Sequence, residues 1–149
     1  MKKINIICAG KLKEKFFKDA FLEYEKRLSR FCKLNVVEVN DYPDDMNSIE
    51  KEATLMLPYL KNFSISLDIN GKNLSSEEFS SSIDKAFITN SEVNFFIGGS
   101  HGLSNEIKQK SNLNLSFGKL TYPHQLMRVM LVEQIYRAFS ITTNTKYHK

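Results

Sequence analysis

Hydrophobic and polar residues follow two patterns along the chain, short apolar runs and stretches with helical spacing. Short, bounded apolar runs are typical of buried strands. The strands predicted in this way are Lys3–Cys8, Leu34–Val39, Phe63–Ile69, Val93–Ile97 and a short extended segment within Leu113–Leu120. Apolar residues that recur at helical spacing predict helices. These helices are Lys13–Ser29, Ser48–Leu57, Ser75 to about Phe87, Ser104–Lys110 and Pro123–Phe139.

Local signals place several element boundaries. Asn70-Gly71 is a turn signal that closes the third strand. Ser75 and Glu78 have the spacing of a capping box, and Pro123 fits the first position of the last helix. The final segment, Ser140–Lys149, is polar and has no apolar period, so it follows that helix as a tail. Because strands alternate with helices, the sequence predicts an α/β fold with a mainly parallel sheet flanked by helices.

Ligands bind such sheets beyond the carboxyl ends of the strands. Three loops lie at those ends in the predicted fold. They follow Ile69, follow Ile97 and surround Phe117–Tyr122. The third loop carries aromatic residues, glycine and lysine just before a helix, where backbone amides suit an anion or a polar cofactor edge. These three loops are therefore the candidate binding region.

The second loop, Gly98-Gly99-Ser100-His101-Gly102, is rich in glycine. It lacks the dinucleotide fingerprint and the phosphate-binding P-loop pattern. It does match G-x-S-x-G, the turn that presents the nucleophile of serine hydrolases. Under that alternative Ser100 is the nucleophile, and the partners are Glu106 or Glu133 and His124 or His148. A tight turn that simply requires glycine explains the same residues.

The last predicted helix is apolar on more than one face, which indicates burial on several sides. In a chain of this size, that pattern favours packing against a second subunit, and a central core helix is the alternative. Arg128 interrupts the apolar surface near the candidate loops. The tail ends in Lys146-Tyr147-His148-Lys149, residue types that contact RNA, although chain termini are commonly frayed and inert.

Composition narrows the class of protein. The 149 residues, with 42% hydrophobic and 26% charged, suit one soluble globular domain spanning 1–149. The sequence has no apolar run long enough for a transmembrane helix, no signal-peptide pattern and no metal-binding spacing of cysteine or histidine. We expect Cys8 and Cys32 to be reduced, and we therefore expect a cytoplasmic protein. The net charge is +6 over residues 1–33, −7 over 34–92 and +5 over 93–149. Basic ends around an acidic middle suggest a face for a polyanion, or merely a solvated surface.

Several segments of the chain match one known family. They are Gly10–Lys15, Glu23–Leu28, Leu67–Lys72, Leu74–Glu77, Phe96–Ser100, Gly102–Ser104, Leu115–Phe117, Pro123–Val129, Glu133–Phe139 and Tyr147–Lys149. On these residues, which span essentially the whole chain, it resembles the ribosomal RNA large-subunit methyltransferase H family of the SPOUT superfamily. The resemblance implies a trefoil knot in the C-terminal half, at about 65–149, and a homodimer without metal.

The resemblance also implies an activity and a cofactor site. The activity is methylation of N3 of pseudouridine 1915 in helix 69 of 23S ribosomal RNA, within the assembled 70S ribosome and with S-adenosylmethionine as methyl donor. Matched by position, the cofactor-binding residues are Leu67, Gly98, Phe117, Gly118, Lys119, Leu120, Thr121 and Tyr122. A serine hydrolase and a non-catalytic ribosome-binding module remain the alternatives.

Methyl transfer to an imide nitrogen requires the removal of its proton. For this catalytic chemistry we expect His148, with Tyr147, to act on the substrate side as a base or as a group that orients the ring. Arg128 is expected to stabilise the developing imide anion, and Lys149 with the basic ends to hold phosphate.

Overall fold

The predicted strands pair into one five-stranded parallel sheet in the computed structural model, which describes residues 1–149. The strands are β1 (Lys3–Ala9), β2 (Lys33–Val39), β3 (Phe63–Asn73), β4 (Glu92–Ile97) and β5 (Leu113–Ser116). Their order across the sheet is β2-β1-β4-β3-β5, and every neighbouring pair is parallel. The predicted α/β class and parallel sheet are therefore confirmed.

Helices cover both faces of the sheet. They are α1 (Lys15–Leu28), α2 (Ser48–Met56), α3 (Ser76–Thr89), α4 (Asn105–Lys110) and α5 (His124–Thr142), with a 3₁₀ turn at Leu57–Tyr59. Alternate residues of β1 point to opposite faces: Ile4 and Ile6 join the larger core with α1, α3 and α5, whereas Ile7 joins the smaller core with α2 and α4. Burial on both faces explains why β1 and β4 are nearly continuous apolar runs.

The third strand does not end where its sequence predicted. β3 continues through Asn70-Gly71 to Asn73, and both Leu67 and Lys72 pair with Leu115 of β5. A Cβ atom at Gly71 would lie 2.5 Å from the carbonyl oxygen of Asn114. The turn prediction was wrong because glycine here permits an irregular stretch of strand to pass close to the neighbouring backbone.

The ends of two helices test the predicted boundaries. The Ser75 hydroxyl accepts a hydrogen bond from the Glu78 amide, and the Glu78 carboxylate accepts one from the Ser75 amide, so the capping box is confirmed. Pro123, by contrast, precedes α5 with extended ψ of 137° rather than occupying its first turn. The helix also runs to Thr142, past the predicted end. Ser140 is fully buried there, and its hydroxyl donates to the Tyr136 carbonyl, which lets a polar residue continue the helix.

Helix α5 lies against the sheet between α1 and α3. From Leu131 onward it supplies buried residues such as Leu131 and Ile135 to the larger core, as the core-helix alternative predicted. Its N-terminal half leaves Leu126, Val129 and Met130 only half-buried. No helix in the protein is long and apolar enough to span a membrane. The trefoil knot and the second subunit stay predictions.

Candidate functional site

The carboxyl ends of β3 and β4 and the segment after β5 enclose a cleft of about 300 Å³. Leu67–Ile69 form one wall, and Ile97–Leu103 form another. Residues after β5 and the first turn of α5, including His124, complete it. The three loops that sequence selected at the strand ends thus meet around one cavity, as expected for a parallel sheet.

Seven of the eight residues expected to bind a cofactor line this strand-end cleft. They are Leu67, Gly98, Phe117, Gly118, Leu120, Thr121 and Tyr122. Lys119 is exposed and does not line it. The cleft also has a charged edge, since Lys108 pairs with Asp68 at 3.6 Å. Apolar walls with a few polar groups are typical of small-molecule sites.

The glycine loop closes on itself. A Cβ atom at Gly98 would lie 2.3 Å from the carbonyl carbon of Gly102, and the Gly102 amide donates to the Gly99 carbonyl at 3.1 Å. At Gly99 a Cβ atom would instead lie 3.0 Å from a carboxylate oxygen of the buried Glu52. The tight turn therefore explains the glycine at position 98, whereas at position 99 it is the Glu52 side chain that leaves little room for a Cβ atom.

The geometry of a serine hydrolase is absent. Ser100 is exposed, and the next helix, α4, begins only at Asn105 rather than directly after the serine. The Ser100 hydroxyl has no hydrogen bond with any histidine. Both candidate acids are engaged elsewhere, Glu106 with Lys110 and Glu133 with Arg137. The G-x-S-x-G match thus does not assemble a catalytic triad.

Arg128 is buried, and both of its terminal nitrogens have protein partners. Its side chain is only 2% exposed. One terminal nitrogen donates to Glu38 at 2.6 Å, and the other donates to the Gly10 carbonyl at 3.0 Å. In this arrangement the guanidinium joins α5 to the carboxyl ends of β1 and β2. The role expected for it towards an imide anion stays a prediction.

The tail folds back onto its own chain rather than fraying. The Tyr147 ring packs edge-on against Tyr136, with ring centroids 4.7 Å apart, and its hydroxyl donates to Glu133 at 3.2 Å. Arg137 lies over the same ring. Burial, followed by a hydrogen bond with Tyr24, raises the pKa of Tyr147, so its phenol stays protonated at neutral pH.

Both ring nitrogens of His148 have partners. Arg137 lies 3.0 Å from Nδ1, and Glu77 lies 2.6 Å from Nε2. Arginine can only donate, so Nδ1 is the acceptor and Nε2 carries the hydrogen that Glu77 accepts. This hydrogen bond is the first cause of a lowered pKa at Glu77. The tail residues do not line the strand-end cleft.

A second cavity, of about 500 Å³, lies near the tail. Tyr24 of α1, Ser76 of α3 and Met130 and Glu133 of α5 contribute to its wall. Phe117 belongs to both cavities. Sequence reasoning missed this space because its wall comes from five separate elements, α1, β3, α3, β5 and α5, and no local pattern reports that these elements meet.

His124, which sequence named as a possible base of the hydrolase alternative, also belongs to the site. It is the first residue of α5, is half-buried and lines the strand-end cleft. Burial lowers its pKa, and the neighbouring Arg128 charge lowers it further. The imidazole is therefore neutral at neutral pH.

Comparison with known proteins agrees with this fold. The family "Predicted SPOUT methyltransferase" matches residues 1–148. A protein of Clostridium botulinum strain 657 named Ribosomal RNA large subunit methyltransferase H is 52% identical, over 98% of this chain and 99% of the relative. One of the same name from Clostridium novyi strain NT is 50% identical over the same shares.

A solved structure of a probable methylase family protein from Haemophilus influenzae Rd KW20 shares the fold. The TM-score is 0.55 at 9% identity, over 98% of this chain and 70% of that one. With the family match over nearly every residue and relatives at half identity, the chain belongs to the SPOUT methyltransferase family, in the group whose members are named Ribosomal RNA large subunit methyltransferase H.

Proposed function

We propose that this protein transfers a methyl group from S-adenosylmethionine to large-subunit ribosomal RNA. The specific target is N3 of pseudouridine 1915 in helix 69 of 23S RNA in the assembled 70S ribosome. The observation that carries the proposal is the strand-end cleft, where seven residues matched to the family's cofactor contacts line one cavity.

The residues of the cleft fit this cofactor. Leu67 and Leu120 offer apolar surface to an adenine ring, and the glycine loop offers backbone groups for hydrogen bonds. Asp68 adds a carboxylate for a polar or cationic part of the molecule. The cavity volume lies at the lower end of the range for small-molecule sites, about 300–1,000 Å³. When bound, S-adenosylmethionine supplies the methyl group as an electrophile.

The protein itself has two tasks in this reaction. It must hold the target nitrogen about 3–3.5 Å from the carbon that it attacks, and it must accept the proton of that nitrogen. His148, with Tyr147 beside it, is proposed to act on the substrate base, and His148 does so either as proton acceptor or by orienting the ring. For His148 to do so, Nδ1 must leave Arg137 or Nε2 must leave Glu77, because both ring nitrogens are occupied.

Lysines near the cleft and in the tail are proposed to contact RNA phosphates. Lys11, Lys13 and Lys18 are exposed and have no carboxylate partner within 4 Å. The Lys13 amide donates to the Gln125 side chain, which keeps this basic loop beside the first turn of α5. Lys146 and Lys149 add charge in the tail. Phosphate contacts of this kind make binding weaker at high salt.

A homodimer is part of the proposal. Leu126, Val129 and Met130 on the N-terminal half of α5 remain half-buried in the single chain, and Met130 borders the second cavity. A second copy of the chain on this surface would remove the apolar area from water. Sedimentation measurements across concentration test this point, and a monomer at micromolar concentration would contradict it.

The experiment that tests the proposed function uses ribosomes lacking the modification. Purified protein and S-adenosylmethionine are added to 70S ribosomes, separate 50S subunits and free 23S RNA, and the methylated base is mapped by mass spectrometry. We expect a single methyl group in helix 69, formed on 70S ribosomes. Transfer to free RNA but not to ribosomes would contradict the proposed substrate, and calorimetry showing no S-adenosylmethionine binding would favour a ribosome-binding module.

A further inference from the structure

The three histidines of the chain differ in what their ring nitrogens contact. His101 is exposed, and its Nε2 contacts the carbonyl oxygen of Pro43 at 3.2 Å. His148 has partners at both nitrogens. His124 has a hydrogen bond to no protein group at either nitrogen, and it faces the strand-end cleft. His101 and His124 both line the cleft, and His124 is the one that is half-buried rather than exposed and is hydrogen-bonded to no protein group.

Charged groups surround His124 on several sides. Arg128 approaches from the next turn of α5, and Lys13 approaches from the loop after β1. Asp41, after β2, and Glu52, on α2, lie on the acidic side. Burial and the two cations favour the neutral ring, whereas the two carboxylates favour a protonated one. The ring is thus neutral before the reaction and has carboxylates near it that stabilise the charge it gains on accepting a proton.

We propose that His124 is the catalytic residue that accepts the N3 proton of the substrate base. This inference rests on the proposed function, and it assigns His148 the other of its two roles, orienting the ring. In the step, the N3–H bond breaks and its electron pair stays on N3, while a bond forms between that hydrogen and the free ring nitrogen of His124. The N3 electron pair then forms the bond to the methyl carbon, while the bond from that carbon to the sulfonium sulfur breaks and its electron pair stays on sulfur. The imidazolium later returns its proton to solvent.

The test compares His124→Gln, which keeps a hydrogen-bonding side chain but has no basic nitrogen, with His148→Gln. Lys85→Gln, at an exposed position on α3 remote from the cleft, is the matched control. Single-turnover methylation of 70S ribosomes is measured across pH at saturating S-adenosylmethionine. We expect His124→Gln to lower the rate by about 100-fold or more and to remove its decline at acidic pH. His148→Gln should keep that decline.

Two readouts do not depend on activity. Calorimetry should give His124→Gln an S-adenosylmethionine affinity within about twofold of the wild type, since a proton acceptor for the substrate adds little to cofactor binding. Nuclear magnetic resonance of ¹³C-labelled histidine in the wild-type protein should show His124 titrating below the ordinary histidine pKa of 6.5. This second measurement stands even if the variant folds poorly.

Each contrary result overturns the inference. The first two are a His124→Gln methylation rate within about threefold of the wild type and a rate that still declines at acidic pH in this variant. The other two are a variant that loses only S-adenosylmethionine affinity and a wild-type His124 ring that is protonated at neutral pH. Total methyl transfer to RNA, followed with S-adenosylmethionine that carries tritium in its methyl group, is recorded separately from the position of the methylated base. If the methyl group is found on another base, the proposed substrate is wrong, and the comparison of variants still decides whether His124 accepts the proton.

Discussion

Helix α5 carries two polar clusters that differ in how they are held. Near its start, Arg128 is 2% exposed and binds Glu38 and a backbone carbonyl; we refer to Arg128, Glu38 and Gly10 as the buried cluster. Nearer its end, Arg137 is 24% exposed and binds Glu133 and His148; with Glu77 and Tyr147 these residues form the tail cluster. The same residue type therefore has two different environments within three turns of one helix.

The exposure of the two clusters indicates how easily the contacts in each one can be broken. Removing one partner of a buried ion pair is costly, because the charged group that remains has neither its partner nor water around it. An exposed pair is screened by water and is worth little. The buried cluster fixes α5 on the sheet beside the strand-end cleft, whereas the tail is held to α3 through Glu77, which is exposed, so we expect this contact to open more easily. A rigid cleft and a releasable tail suit a site that must first bind a small cofactor and then admit an RNA base.

The largest expected effect is on stability when the buried cluster is broken. Arg128→Leu should lower the free energy of unfolding by about 3 kcal/mol, at the lower end for a buried pair because Glu38 stays 34% exposed and can be solvated. Arg137→Leu is the matched control and should lose about 1 kcal/mol or less. Urea denaturation followed by circular dichroism measures both. If both variants lose the same free energy of unfolding, the two clusters do not differ in how strongly they stabilise the fold.

The glycine loop offers a second comparison within the cleft. Gly98→Ala forces a Cβ atom against the Gly102 backbone and should cost about 2 kcal/mol. Gly99→Ala meets the end of the Glu52 side chain, which can move, so its cost should be smaller. Thermal unfolding gives the stabilities, and calorimetry gives S-adenosylmethionine affinity, which we expect Gly98→Ala to reduce more. The reverse order would mean that the loop backbone, rather than Glu52, is what adjusts.

Lowering the pH should destabilise the strand-end region through His124. Its folded-state pKa is lowered by burial, so below pH 6.5 the unfolded chain binds the proton more readily than the folded protein does. This contribution to stability is complete above the unfolded-state pKa and is lost as pH falls through the folded-state value. Urea denaturation at several pH values should show a shallower decline for His124→Gln than for the wild type. Parallel curves would contradict the assigned burial.

The smallest expected effect on stability is in the tail. His148→Ala removes one contact to an exposed Glu77 and one to Arg137, and the free energy of unfolding should change by about 0.5 kcal/mol. The tail itself should become more mobile, which limited proteolysis after Lys146 can detect. If the variant is as unstable as Arg128→Leu, the tail is a structural part of the fold rather than a releasable segment.

Sequence determined the parts of this protein that depend on neighbouring residues. Apolar runs and helical spacing predicted the strands and helices, and Ser75 with Glu78 predicted a helix start, because these patterns act within a few positions. The strand-end rule then predicted that the loops after Ile69 and Ile97 would meet the Phe117–Tyr122 segment at one cleft. That rule is geometric and holds for any parallel sheet.

Tertiary structure alone decided what each polar side chain contacts. Gly10 and Arg128 are 118 positions apart, and Glu77 and His148 are 71 apart. No local pattern reports such pairs, so sequence could not show that Arg128 is buried or that the tail returns to α3. Asn70-Gly71 was predicted as a turn for the same reason, because only the position of the Asn114 backbone explains why residue 71 is a glycine. Local sequence patterns determined the helices, the strands and the position of the cleft. Long-range packing determined which side chains in these elements have protein partners and which do not.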